Sequence, residues 1–141
     1  MKIKVLCISD SDKHFASAID EYLKRLGKDL EIVTIKPEKN GSRDQIISKE
    51  TDKILEKLGK NTDFKILLTK DGKALSTEEI VKIVSTNNNI SFIIGGPYGL
   101  DEARLEKMID AKLSFGKITL PHGLAKLTIL EQVYRAKSIL E

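Results

Sequence analysis

The chain has 141 residues, 40% of them hydrophobic and 32% charged, with a formal net charge of +3; these figures fit one ordinary domain and leave little room for a second. No stretch approaches the roughly 18 consecutive apolar residues of a membrane span. The single cysteine, Cys7, excludes an internal disulfide, and a net charge this small does not argue for nucleic-acid binding on its own.

The first eight residues hold a short apolar run that turns polar at Ser9-Asp10-Ser11-Asp12, so no secretory leader is expected. Together with the lone cysteine, which reads as a small core residue, this points to a reducing, cytoplasmic setting. Residues 3–8 have the length and character of a strand. From about residue 12 to 26, Phe15, Ile19, Tyr22, Leu23 and Leu26 recur at helical spacing, and Gly27 is a plausible stop. Residues 30–35 alternate Ile32 and Thr34 against Val33 and Ile35, a second strand. After a loop over 37–42, Ile46, Ile47, Ile54, Leu55 and Leu58 mark a second helix that ends at Gly59.

Residues 64–68 read as a third strand and Lys70-Asp71-Gly72-Lys73 as a turn. Ser76-Thr77-Glu78-Glu79 has the form of a capping box. It opens a helix carrying Ile80, Val81, Ile83 and Val84, which Asn87-Asn88-Asn89 breaks. Ile90-Ser91-Phe92-Ile93-Ile94 is nearly continuous in apolar residues, as a strand covered on both faces should be. A helix over about 101–110, a short extended piece near Leu113 and a final helix over about 124–140 complete the chain. Strands alternating with helices predict an α/β domain spanning 1–141, with a three-layer parallel sheet.

Three stretches carry candidate chemistry. Gly95-Gly96-Pro97-Tyr98-Gly99-Leu100 comes directly after the buried strand, and ligands of open α/β sheets bind at the carboxyl ends of strands. Glycines there admit positive φ and a close backbone approach to a nucleoside. Their spacing matches neither the dinucleotide fingerprint nor a phosphate-binding P-loop. Leu113-Ser114-Phe115-Gly116-Lys117-Ile118-Thr119-Leu120-Pro121-His122 is a loop leading into the last helix, which Pro121 can begin. In that helix Leu124, Leu127, Leu130 and Tyr134 form one apolar stripe and Ile129, Val133, Ala136 and Leu140 another. So wide an arc suggests burial on more than one side, by a partner subunit in so small a protein.

From Lys112 to Lys137 the basic residues Lys112, Lys117, Lys126, Arg135 and Lys137 face only Glu131, a local surplus of four. That surplus can meet phosphates or form a solvated face; Glu131 and Arg135, four apart, can equally form a surface pair. His14 and His122 lack partners at metal-ligand spacing, so no metal site is expected.

These stretches, in this order, resemble the ribosomal RNA large subunit methyltransferase H family of the SPOUT class. The matching residues are Phe92-Ile93-Ile94-Gly95-Gly96-Pro97-Tyr98-Gly99-Leu100, then Leu113-Ser114-Phe115-Gly116-Lys117-Ile118-Thr119-Leu120-Pro121-His122, then Ile129-Leu130-Glu131-Gln132-Val133-Tyr134-Arg135-Ala136. The opening Met1-Lys2-Ile3-Lys4 and Tyr22-Leu23-Lys24-Arg25-Leu26 are also similar to that family. The likeness covers nearly the whole chain and is weak between Ile35 and Asp63.

The resemblance implies an α/β fold whose C-terminal part is tied in a deep trefoil knot, and a homodimer with its pocket beside the dimer interface. It implies S-adenosyl-L-methionine as cofactor and methylation of N3 of a pseudouridine in large-subunit ribosomal RNA on the assembled ribosome. Carried over, the cofactor site consists of Leu68, Gly95, Phe115, Gly116, Lys117, Ile118, Thr119 and Leu120, with Gly96 and Gly99 shaping the turn. Lys117, Lys126 and Arg135 are the candidates for RNA phosphates. His122, by residue type, is the candidate general base, beside a structural or RNA-contact role.

Three departures stand out. Leu68 is followed by Thr69 where the family usually has an aspartate, so a carboxylate is lost, and Lys126 stands where arginine is usual. Family members also finish in a short Tyr-His-Lys or Tyr-His-Arg tail implicated in catalysis, whereas this sequence ends at Glu141 within the last helix. A non-catalytic ribosome-binding relative therefore stays open beside the active enzyme.

Overall fold

The computed structural model describes residues 1–10, 13–59 and 61–141. Ser11 and Asp12, placed by the sequence in a turn and a helix start, lie outside the described residues. Five strands form one sheet: β1 (Lys2–Ile8), β2 (Leu30–Ile35), β3 (Phe64–Ala74), β4 (Asn89–Ile94) and β5 (Ala111–Ser114). Their order is β2-β1-β4-β3-β5, and every pairing is parallel. Four α-helices connect them, α1 (Ala16–Leu26), α2 (Arg43–Leu58), α3 (Thr77–Thr86) and α4 (Glu102–Leu105), and α5 (His122–Leu140) follows β5.

β4 is the middle strand, hydrogen-bonded to β1 and β3, and this position explains its unbroken apolar run. Ile90, Phe92 and Ile94 point into the core on one face, with Ile3, Val5, Cys7 and Ile66, under α1, α3 and α5. Ile93 points to the other face, with Leu6, Ile8 and Leu67, under Ile54 and Leu58 of α2 and Leu105 of α4. The two-residue alternation of strand side chains thus builds two cores and the expected three layers.

Both helices that open with Ser-x-x-Gln/Glu are reciprocally capped. Ser76 Oγ accepts from the Glu79 N–H at 3.1 Å, while the Ser76 N–H donates to Glu79 Oε1 at 3.2 Å. Ser42 and Gln45 do the same at the start of α2, which places that start three residues before the first apolar position of the periodic pattern.

The structure corrects two expectations. The helix over 101–110 is only the four residues of α4. Beyond it the chain is captured by pairing with β3: the Asp110 N–H donates to Lys65 O at 2.9 Å, and its carboxylate accepts from the Lys65 N–H at 2.8 Å. The turn at Lys70-Asp71-Gly72-Lys73 lies inside β3 as a bulge, because Leu68 and Lys73 both pair with Leu113. On α5, Ile129, Leu130, Val133 and Ala136 are buried where the helix packs against α3 and α1, while Leu124, Leu127 and Tyr134 are half-buried and Leu140 is exposed.

Candidate active site

Adjacent strands β4 and β3 send their following helices to opposite faces, α4 to one and α3 to the other. Such a divergence leaves a crevice beyond the carboxyl ends of the strands. The structure has a cavity of about 480 Å³ there, within the range of small-ligand sites. Leu67 and Leu68 of β3, Ile94 of β4 and Leu113 of β5 give it apolar walls, and the 95–100 turn and Phe115 flank it.

The turn closes through the Gly99 N–H, which donates to Gly96 O at 2.9 Å. Gly99 needs to be glycine for its φ of 77°, in the left-handed region. Gly95 has a different reason. A Cβ there would meet Leu100 Cγ at 2.9 Å, so a side chain would spread the turn. Behind it the Asp101 N–H donates to Thr51 Oγ1 at 2.9 Å, tying the end of the turn to α2.

Of the residues predicted for the cofactor, Leu68, Gly95, Gly96, Gly99, Phe115, Ile118, Thr119 and Leu120 line this one cavity. Gly116 and Lys117 do not; they stand at the bend of the loop, where the Gly116 N–H donates to Ser114 Oγ at 3.2 Å. His122 and Ala125 bring the start of α5 to the cavity wall. Pro121 is the N-cap of α5, extended at ψ 153°, so the helix proper opens at His122. No side chain caps this end and no acidic residue sits in its first turn, so the positive end of the helix dipole is not neutralised locally.

The basic stretch is where spacing misled. Lys126 is 3% exposed; an ammonium held there does not reach an RNA phosphate, and the reading of Lys126 as an RNA contact is corrected. Lys112 bridges Glu106 at 3.0 Å and Glu102 at 3.6 Å, and the Glu106 hydrogen bond raises its pKa. Lys137 bridges Asp29 at 2.7 Å; that bond raises the lysine and lowers the carboxyl. Arg135 bridges Glu131 at 3.0 Å, the surface pair, yet its side chain stays 55% exposed. Carboxylates outside the 112–137 stretch, Glu102 and Glu106 at Lys112 and Asp29 at Lys137, thus absorb part of the apparent surplus. Lys117 is exposed beside the cavity and belongs to no ion pair found among the described residues.

Three groups at the site were not singled out from the sequence. A carboxylate from α4 stands beside position 69: Thr69 Oγ1 donates to Glu102 Oε2 at 2.7 Å, and Glu102 lines the cavity. Arg43, at the first position of α2, lies 5.2 Å from the ring centroid of Tyr98, and both side chains line the cavity. Glu50 of α2 is buried behind Gly96. Each pairing joins residues far apart in sequence, so no local spacing could announce it.

The family model described as predicted SPOUT methyltransferase matches residues 1–141. The ribosomal RNA large subunit methyltransferase H of Mycoplasma capricolum is 40% identical over 149 aligned residues, covering 99% of this chain and 96% of that protein. The protein of the same name from Streptococcus suis is 38% identical, covering 96% of this chain and 93% of its own. A crystal structure from Bacillus anthracis, provisionally assigned as an RNA methyltransferase, superposes with a TM-score of 0.59 over 96% of this chain and 94% of that one; at 17% identity it speaks for the fold alone. The chain belongs to the SPOUT methyltransferases and, within them, to the ribosomal RNA large subunit methyltransferase H family.

Proposed function

We propose that the chain uses S-adenosyl-L-methionine to methylate large-subunit ribosomal RNA, at N3 of a pseudouridine, on the assembled ribosome in the cytoplasm. With this reading go the deep C-terminal trefoil knot and the homodimer of the family. One observation carries it: the glycine turn, Leu68 and residues 118–120 converge on a single cavity at the divergence of β3 and β4.

The cavity suits the proposed cofactor. Its volume fits a nucleoside-sized ligand, its walls are apolar enough to flank an adenine, and the 95–100 and 115–120 segments offer main-chain N–H and C=O groups for polar recognition. Leu68, Gly95, Phe115, Ile118, Thr119 and Leu120 would hold it. When bound, S-adenosyl-L-methionine supplies an electrophilic methyl group.

The protein's task is chiefly to position. Holding two reactants in near-attack geometry contributes on the order of 7–11 kcal/mol to lowering a barrier. The acceptor nitrogen must also lose its imino proton, and the imidazole of His122, at the cavity wall, is the group we assign to receive it. Lys117 and Arg135 serve as phosphate contacts.

Calorimetric titration of the purified chain with S-adenosyl-L-methionine tests the reading, with Gly95→Trp as the blocked control. The expected result is micromolar binding that the control abolishes, followed by methyl transfer to ribosomes that lack the modification. Absence of binding by the folded chain would move the reading to a non-catalytic ribosome-binding relative.

A further inference from the structure

The resemblance to the family is weak between Ile35 and Asp63, yet this segment contains the helix that lies behind the glycine turn. Glu50, in the middle of α2, is 1% exposed. Its Oε2 accepts from the Glu38 N–H at 3.0 Å. Its Oε1 is buried with no hydrogen-bond partner among the described residues. A buried carboxylate oxygen left without a donor is costly, and native structures keep few such groups without a reason.

The reason lies across the contact. A Cβ built on Gly96 would stand 2.7 Å from Glu50 Oε1 and 3.4 Å from its Cδ and Oε2. Gly96 does not have a positive φ, so its backbone conformation does not demand glycine. A side chain there would have to displace the Glu50 carboxylate, which is buried and held through Oε2 by the Glu38 N–H. The next residue of α2, Thr51, is also fully buried and accepts from the Asp101 N–H just beyond the turn. Two consecutive helix residues therefore contact the beginning and the end of the turn, from the side opposite the cavity. Glu50 also ties the 36–38 stretch to the same helix through the Glu38 N–H.

We propose that Glu50 is a positioning residue of the methyl-donor site: its buried carboxylate is the stop against which Gly96 rests, and it sets how deeply the 95–100 turn sits in the cavity. The proposal rests on the methyltransferase reading above. It gives the weakly matching segment a role, as the support for the turn that binds the cofactor.

The test is a double-mutant cycle on the full-length chain, read both as S-adenosyl-L-methionine affinity and as Tm. Glu50→Asp keeps the carboxyl group and draws it back by about one bond, roughly 1.5 Å. Gly96→Ala drives a methyl group into Glu50 and should weaken binding by about tenfold or more. Glu50→Asp alone should weaken it about two- to fivefold, since the turn loses its stop. In the double variant the two changes relieve each other, and affinity should return to within about threefold of Glu50→Asp alone. Gly96→Ala binding as tightly as the unaltered chain would overturn the proposal. So would coupling that appears in Tm and not in affinity, because that marks a purely structural contact. Failure of the unaltered, folded chain to bind the ligand is a separate result; it overturns the reading of the pocket, and the role of Glu50 falls with it.

Discussion

If the chain acts on ribosomal RNA, its electrostatics should follow the folded structure and not the sequence count. Five cations between Lys112 and Lys137 look interchangeable in the sequence. In the fold, Lys112 and Lys137 each hold carboxylates at 3.0 and 2.7 Å, and Lys126 is buried. Only Lys117 and the exposed part of Arg135 offer charge to a phosphate. Each phosphate neutralised changes the slope of log K against log salt by about 0.7 for single strands to 0.9 for duplex. Between 50 and 200 mM salt, one such contact is then worth roughly a threefold change in affinity. Lys117→Gln should lower the slope of ribosome binding by nearly one full contact. Arg135→Gln should lower it by less, since Glu131 already neutralises part of the charge. Lys112→Gln and Lys137→Gln should leave it nearly unchanged. Binding of fluorescently labelled protein to ribosomes across that salt range measures all four slopes. A loss for Lys112→Gln equal to that for Lys117→Gln would refute the assignment.

Two further outcomes rest on named contacts. His122→Asn should leave the affinity for S-adenosyl-L-methionine within about twofold and slow single-turnover methyl transfer by roughly 10²–10⁴-fold, as loss of a general base does; equal loss of affinity and rate would make His122 a wall of the pocket only. The Asp29–Lys137 pair joins α5 to the turn before β2, and its titration has a definite sign. Asp29 has a lowered pKa, so its contribution is present above the unfolded carboxyl value and is lost as pH falls through the folded one. Lys137 has a raised pKa, so its contribution is full below the unfolded amine value and is lost as pH rises through the folded one. Lys137→Met should therefore destabilise the chain by about 0.2–1 kcal/mol on a plateau between roughly pH 4 and 10, and the difference from the unaltered chain should vanish in acid, as thermal melts across pH will report.

The fold was legible where a local rule dictates it. The unbroken apolar run at Ile90-Ser91-Phe92-Ile93-Ile94 announced a strand covered on both faces, and Ser76 with Glu79 announced a helix start. Both signals depend on residues adjacent in sequence. The helix over 101–110 failed because β3 competes for Asp110, a partner 45 residues away. The bulge in β3 failed for the same kind of reason: the chemistry of Lys70-Asp71-Gly72-Lys73 suits a turn, but pairing with β5 resumes beyond it. At the site, glycines were legible because close backbone approach leaves few alternatives. Lys126 was not, since a lysine in a helix carries the same sequence signal whether it faces water or the interior. Glu102, Arg43 and Glu50 were hidden because their partners, Thr69, Tyr98 and Gly96, are fixed by topology and not by spacing.

The two walls of the cavity also belong to different cores. Leu100, at the end of the glycine turn, packs with Leu105 and Ile54 in the core under α2 and α4. Phe115, on the opposite loop, packs with Leu113, Ile129 and Leu130 in the core under α5. The distance between the walls is therefore set by how both cores sit on β3 and β4, and no single loop determines it. Densely packed interiors transmit displacement instead of absorbing it, so a change in either core should move one wall relative to the other. In this way the 36–58 segment can bear on the reaction from outside the cavity. Residues 36–58 contribute little of the cavity lining beyond Arg43, yet they hold one wall from behind.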